Sequence, residues 1–187
     1  MSAIRELALA KATGGGGGSD LSENYVELDF SNAGGELSSF NGYQTDSTSS
    51  IMGMRYYTRK ITLNKVYELS QSAFASCVHL ETAEIPDTTN IGKSAFAGCT
   101  SLASIKLPSA VSIGGSAFGG CTALKYVYIG PNCTSIASGA FGGVPITCKV
   151  ECGFAEGAVS GFPANAGFAG SVANLDITYN VAEPSEQ

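Results

Sequence analysis

Apolar residues recur through the middle of the chain at a long and nearly constant interval, which is marked by a repeated six-residue segment. The copies at 72–77, 94–99 and 116–121 share an alanine–phenylalanine pair and a final cysteine, and the copy at 139–144 keeps the pair but ends in valine. The alanines stand at 73, 95, 117 and 140, so the steps are 22, 22 and 23 residues. A period of ~20–30 residues is typical of a solenoid, in which each unit buries its apolar face by stacking on its neighbours.

Alignment on the alanine–phenylalanine pair predicts which side chains point inward, because equivalent residues of successive repeats lie above one another. The predicted columns are Thr58, Leu80 and Leu102; Ile61, Ala83, Ile105 and Val127; Leu63, Ile85, Leu107 and Ile129; Leu69, Ile91, Ile113 and Ile136; and Phe74, Phe96, Phe118 and Phe141. One repeat offers about five large apolar side chains, worth roughly 1.5–3 kcal/mol each, against roughly 1–2 kcal/mol for ordering each residue. A single repeat therefore cannot fold alone.

Each of the roughly four repeats is predicted to contain a strand, a corner, a second short extended piece and a helical turn that carries the alanine–phenylalanine pair. In the third repeat the strand is expected at 102–107, the corner at Pro108 and the end of the extended piece at Ile113. Proline suits a corner because it fixes φ and donates no ladder hydrogen bond. The spare residue of the last step falls in the corner at 130–132, where an insertion can be absorbed.

The chain divides into four predicted regions. They are an N-terminal segment with a polyglycine linker (1–20), an N-terminal cap (21–57), the repeats (58–144) and a C-terminal cap with its tail (145–187). The first region is expected to form a short helix over 1–13 that orders only against a partner. The caps are expected to contribute strands at 25–30, 146–150 and 175–179, which cover the open ends of the solenoid. The last residues, from 182, read as a polar tail.

Composition and charge exclude several classes of partner. The net charge is −6 and charged residues make up 14% of the chain, with no basic run. Because phosphate neutralisation needs clustered Lys and Arg, we expect neither nucleic-acid binding nor attraction to anionic membranes. No stretch approaches the ~18 apolar residues of a membrane span, and the start does not resemble a Sec signal peptide. The protein is therefore expected to be cytoplasmic as synthesised, with its six cysteines as thiols.

No combination of residues predicts a catalytic, metal or cofactor site. His79 is the only histidine, and the sequence around it does not indicate the orienting group and the pocket that a general base needs. Cys77, Cys99 and Cys121 share one column, so they are interpreted as small buried apolar groups, and Cys133 falls in a column with Val66, Thr88 and Ala110. The polyglycine run lacks the Lys-Ser/Thr of a nucleotide loop. We therefore expect a protein that is not an enzyme and holds no metal or cofactor.

The outward positions of the strands are the best candidate for a binding face. The candidate residues are Arg59, Lys60, Glu81, Glu84, Lys106, Lys125, Tyr126 and Tyr128. Stacking should place Arg59 beside Glu81, and Glu84 beside Lys106, as exposed pairs worth under ~1 kcal/mol. Tyrosine and arginine are favoured at interfaces, so this row either contacts a ligand or is a solvated sheet face.

The third repeat, from Leu102 to Cys121, follows the spacing L-x-x-I-x-L-P-x-x-V-x-I-G-x-x-A-F-x-G-C. This spacing closely resembles the BspA-like leucine-rich repeat, and the resemblance covers residues 58–144. It implies a curved, right-handed solenoid with parallel strands on its concave side. It also implies a binding or adhesion module of the kind known from bacterial surfaces, gut bacteria and their phages. The start of the chain is similar to the leading segments of some phage open reading frames.

The expected function is therefore that of a non-enzymatic module that binds protein or glycan on its concave face, or serves as a structural protein. One setting is a phage-encoded virion or host-interaction protein, with residues 1–18 as an assembly segment. The alternative is a bacterial adhesion or interaction protein that reaches the surface by a non-Sec route.

Overall fold

The computed structural model describes residues 26–29 and 58–184, and almost all regular structure in them is β-strand. In chain order the strands are β1 (Val26–Asp29), β2 (Thr58–Thr62), β3 (Glu68–Leu69), β4 (Thr82–Glu84), β5 (Asn90–Ile91), β6 (Ser104–Leu107), β7 (Ser112–Ile113), β8 (Tyr126–Ile129), β9 (Ser135–Ile136), β10 (Lys149–Cys152) and β11 (Ile177–Tyr179). Among the described residues the only helix is a single 3₁₀ turn, Val172–Asn174. No helix in this part of the chain is long and apolar enough to cross a membrane.

The strands form two layers that wind together as a parallel solenoid. The longer strands make two adjacent ladders in the orders β1-β2-β4 and β6-β8-β10-β11, which we call the long-strand layer, and the two-residue strands make a short-strand layer in the order β3-β5-β7-β9. Every pairing is parallel, and Ile105 lies opposite Val127 as Ile91 lies opposite Ile113, one repeat apart. Each repeat is therefore one turn, and the predicted fold class is confirmed.

The predicted inward columns are confirmed by burial. Every residue assigned to the five columns is less than 9% exposed, and most are completely buried. The rings of Phe74, Phe96, Phe118 and Phe141 stack in sequence with centroids 5.4, 5.4 and 5.3 Å apart. Phe168 extends the stack by one ring at 5.1 Å, a member that the period did not predict. Like side chains thus form one continuous interior through the repeats.

The turns that carry the alanine–phenylalanine pair are not helical, so that part of the prediction is wrong. In the first repeat Ser72 and Ser76 adopt left-handed φ values of 58° and 61°, which interrupts a helix at both ends of the segment. Backbone hydrogen bonds alternate between acceptors in the same turn and acceptors in the next turn. The N–H of Ala73 donates to Ser70 in its own turn, whereas the N–H of Phe74 donates to Ala95 in the next. Each turn is consequently bonded to its neighbour by backbone groups, as a strand would be.

The cap strands lie near their predicted positions with different bounds. β10 begins at Lys149, three residues later than expected, because the N–H of Cys148 bonds back to Pro145 and holds the preceding residues in a turn. β11 pairs with β10, and β1 pairs with β2, so one strand covers each end of the long-strand layer. The predicted segment at 1–20 and the rest of the cap at 21–57 lie outside the described residues. The proposed division into regions stays a prediction.

Candidate binding face

The eight candidate residues lie along the outer surface of the long-strand layer, which we call the candidate binding face. They belong to β2, β4, β6 and β8 or to the residue just before a strand. Parallel register brings them onto one surface, because Lys60 lies opposite Thr82 and Lys106 opposite Tyr128. Seven of the eight are at least partly exposed, and Tyr128 is not. Their role in binding stays a prediction.

The N-terminal half of the candidate binding face carries paired charges. Arg59 Nε lies 2.9 Å from Glu81 Oε2, as predicted, and the two side chains are 49% and 48% exposed. Exposed pairs of this kind contribute about 0–1 kcal/mol, so they orient the side chains more than they stabilise the fold.

The second predicted pair, Glu84 with Lys106, is wrong. Glu84 instead lies 2.8 Å from Lys60 Nζ and accepts a 2.9 Å hydrogen bond from the Thr62 hydroxyl. The reason is that β4 is hydrogen-bonded to β2, whereas β6 belongs to the other ladder of the layer. The amine of Lys106 is 3.4 Å from the carbonyl oxygen of Pro184, to which it donates.

The C-terminal half of the candidate binding face is organised around Glu151, which sequence reasoning missed. The Tyr126 hydroxyl donates to Glu151 Oε2 over 2.6 Å, and Lys149 Nζ lies 2.6 Å from Glu151 Oε1. These two partners lower the pKa of Glu151 below its ordinary value. Burial, followed by the hydrogen bond to Glu151, raises the pKa of Tyr126. The strand predicted at 146–150 ends before Glu151. Continuing it through the alternation of Val150 and Cys152 would have placed Glu151 on the outer face.

Tyr128 occupies an outward position but is only 1% exposed, which corrects the expectation of an exposed tyrosine. Burial is the main cause that raises its pKa, and the carboxylate of Glu183 is the next. The bond from Lys106, which lies opposite Tyr128, to Pro184 brings the chain after β11 to the neighbouring position on β6. Alternation along β8 predicts the direction of the side chain but contains no information on a segment that returns from much later in the sequence.

The six cysteines are all free thiols and all buried, including Cys77, Cys99, Cys121 and Cys133, for which buried columns were predicted. The thiols of Cys99 and Cys121 each lie 3.2 Å from a phenylalanine carbonyl of the preceding turn, as hydrogen-bond donors. Burial raises the pKa of Cys121, Cys148 and Cys152 to about 12. Since the thiolate is the reactive form, these groups are structural rather than nucleophilic.

The rest of the described surface offers little that could perform chemistry. Within residues 58–184 no three His, Cys, Asp or Glu side chains converge as a metal site would require. An open groove of about 410 Å³ follows the short-strand layer, and among the described residues that line it Glu68 and Lys93 are the charged ones. His79 is partly exposed on the turn before β4. The arrangement suits recognition by a rigid surface.

The geometry defines the class as a leucine-rich-repeat solenoid, in which a parallel layer presents side chains at one-repeat intervals. The chain belongs to the family described as the BspA type leucine-rich repeat region, whose family model of six copies matches residues 53–149. Comparison with curated proteins and with solved structures gave no match. Repeats of this family are typically non-enzymatic and act in protein interaction or as structural modules.

Proposed function

We propose that the chain is a non-enzymatic protein-binding module that contacts its partner through the candidate binding face. The observation that carries the proposal is the array of charged side chains along β2 and β4, which are held in place by each other while 38–49% of each stays exposed to solvent. Arg59 and Glu81 illustrate it, since each is fixed by the other and each remains nearly half exposed. Side chains that are already ordered lose less entropy on binding, which favours affinity.

A protein ligand is favoured over a glycan by the state of the two tyrosines. Sugar rings pack against open aromatic faces, but Tyr128 is covered and the hydroxyl of Tyr126 is already bonded to Glu151. The remaining open groups are charges of both signs, which suit the mixed polar surface of a protein partner.

The setting we propose is a phage-encoded virion or host-interaction protein, with residues 1–18 as the assembly segment. It is supported by the similarity of the first residues to leading segments of phage proteins. A bacterial adhesion protein exported by a non-Sec route is the alternative. Neighbouring genes for virion structure would support the first setting, and neighbouring genes for wall anchoring or secretion would support the second.

The binding proposal is tested by capture of partners from native lysate or particles on the immobilised full chain. The double variant Arg59→Ala/Glu84→Ala removes one charge of each sign from the face and leaves the net charge unchanged. The matched control, Glu68→Ala/Lys93→Ala, makes the same change on the short-strand layer. We expect the face variant to retain partners at least ~10-fold less well than the control. Equal retention by the two variants would exclude this face as the contact surface.

A further inference from the structure

The chain after β11 returns across the outer surface of the long-strand layer. β11 is the outermost strand, and Val181 still donates to Cys152 of β10 beside it. By Pro184 the backbone has come within hydrogen-bond distance of Lys106, on β6 at the other side of the ladder. Strands lie ~4.8 Å apart, so three extended residues and a lysine side chain suffice to span β10 and β8. We call residues 181–184 the return segment.

The surface beneath the return segment has the features of a small binding site. Its floor is Tyr128, the only candidate residue that is fully buried, although its position faces outward. Lys106 on β6 lies opposite Tyr128, and Lys125 is the residue just before β8. Lys106 and Lys125 form no ion pair with any described residue, whereas Arg59 and Lys60 in the other half both do. Lys106 and Lys125 thus carry positive charge without a carboxylate partner among the described residues. They lie beside the ion pair of Lys149 and Glu151, in which Glu151 is opposite Tyr128.

The return segment has complementary chemistry. It reads Val-Ala-Glu-Pro, and the following residues are Ser-Glu-Gln. Its backbone carbonyl at Pro184 accepts from Lys106, and the charge of its Glu183 carboxylate adds to the burial that raises the pKa of Tyr128. The contacts use one backbone acceptor, one acidic side chain and an extended chain, which is a pattern that another peptide could supply.

We infer that the surface around Tyr128, Lys106 and Lys125 is a site for an extended acidic peptide, and that the return segment occupies it as an internal competitor. The inference rests on the proposed binding function and specifies a partner class and a form of regulation for it. A tethered segment has an effective concentration in the millimolar range, so a partner peptide must displace it before binding. Weakening the segment should therefore increase the affinity for a peptide supplied from outside.

The test uses the full chain and a labelled synthetic peptide with the sequence of residues 180–187. Glu183→Lys places a like charge against the lysines and should release the return segment. The control, Glu68→Lys, makes the same charge change on the short-strand layer. We expect the peptide to bind Glu183→Lys at least ~10-fold more tightly than it binds the wild type or the control. Equal affinity for the three proteins, or no binding to any, would overturn the inference.

A second measurement follows the floor residue directly. Nitration by tetranitromethane, mapped by mass spectrometry, should modify Tyr67, which is 37% exposed, and spare Tyr128 in the wild type. Tyr128 should become reactive in Glu183→Lys and be protected again by excess peptide. If it reacts as fast as Tyr67 in the wild type, or stays protected in the variant, the segment is not what covers it. Partner capture that still depends on Arg59 and Glu84 would leave the proposed function standing.

Discussion

Phe168 stacks on Phe141 with ring centroids 5.1 Å apart and an interplanar angle of 6°, so a residue of the C-terminal region completes the aromatic column of the repeats. It lies outside the 22- to 23-residue period and is supplied by the glycine- and alanine-rich stretch that follows β10. Backbone hydrogen bonds also connect the last repeat to this stretch, because the N–H of Phe141 donates to Ala166 and the N–H of Ala169 donates to Val144. The C-terminal region therefore closes the interior by continuing it.

The first prediction concerns this last ring. Phe168→Ala should lower the free energy of unfolding by about 3 kcal/mol, the lower end for a buried phenylalanine, because only one side of the ring is stacked. Phe118→Ala, in the middle of the stack, should cost closer to 5 kcal/mol. Urea unfolding followed by circular dichroism measures both. A Phe168→Ala protein as stable as the wild type would show that the last ring is not part of the core.

The second prediction concerns the corner between β8 and β9. A Cβ at Gly130 would lie 1.8 Å from the carbonyl oxygen of Pro108 in the preceding turn, whereas one at Gly115 would meet nothing closer than 3.4 Å. Gly130→Ala must therefore displace backbone, and we expect a loss of roughly 3 kcal/mol or more. Gly115→Ala is the matched control and should change stability by less than about 1 kcal/mol. Thermal unfolding of the two variants separates these outcomes, and equal melting temperatures would contradict the close approach.

The sequence predicts what is repeated and local. A fixed period assigns Ile113 or Leu102 to a buried column without any knowledge of the curvature, since stacking leaves equivalent residues no other neighbours. The positions between the inward columns likewise predict that Arg59, Lys60 and Tyr126 face outward. These features follow from one repeat and its copies.

Features that depend on non-repeated partners could not be predicted in this way. The bond from Lys106 to Pro184 joins residues 78 positions apart, and Glu84 pairs with Lys60 because β4 is hydrogen-bonded to β2. Alanine favours helices locally, but backbone bonds to the next turn outweigh that preference, so the predicted helical turns do not form. Both errors arise where contacts between distant segments decide the structure.

The third prediction concerns a buried hydroxyl. Thr88 is completely buried, and its hydroxyl donates a 2.7 Å hydrogen bond to the carbonyl of Val66 in the turn before. Its neighbour Thr89 makes the equivalent 2.8 Å bond to Tyr67 at an exposed position. Thr88→Val should cost about 1–3 kcal/mol because the carbonyl loses its donor away from water, whereas Thr89→Val should cost under about 1 kcal/mol. If urea unfolding showed the same loss of unfolding free energy for both variants, burial would not be what determines the effect of removing the hydroxyl.

The fourth prediction concerns the acid dependence of stability. Lys149 and Tyr126 lower the pKa of Glu151 in the folded chain, so the carboxylate contributes stability above its ordinary pKa. That contribution is lost as the pH falls through the lowered folded value. Glu151→Gln cannot titrate, so it should be less stable than the wild type near neutral pH, and the difference should shrink between about pH 6 and about pH 3. Tyr126→Phe, which removes one of the two partners, should show a smaller change of the same sign. Urea midpoints measured across this range check the prediction, and a difference between wild type and Glu151→Gln that does not depend on pH would show that the carboxylate is not stabilised by these contacts.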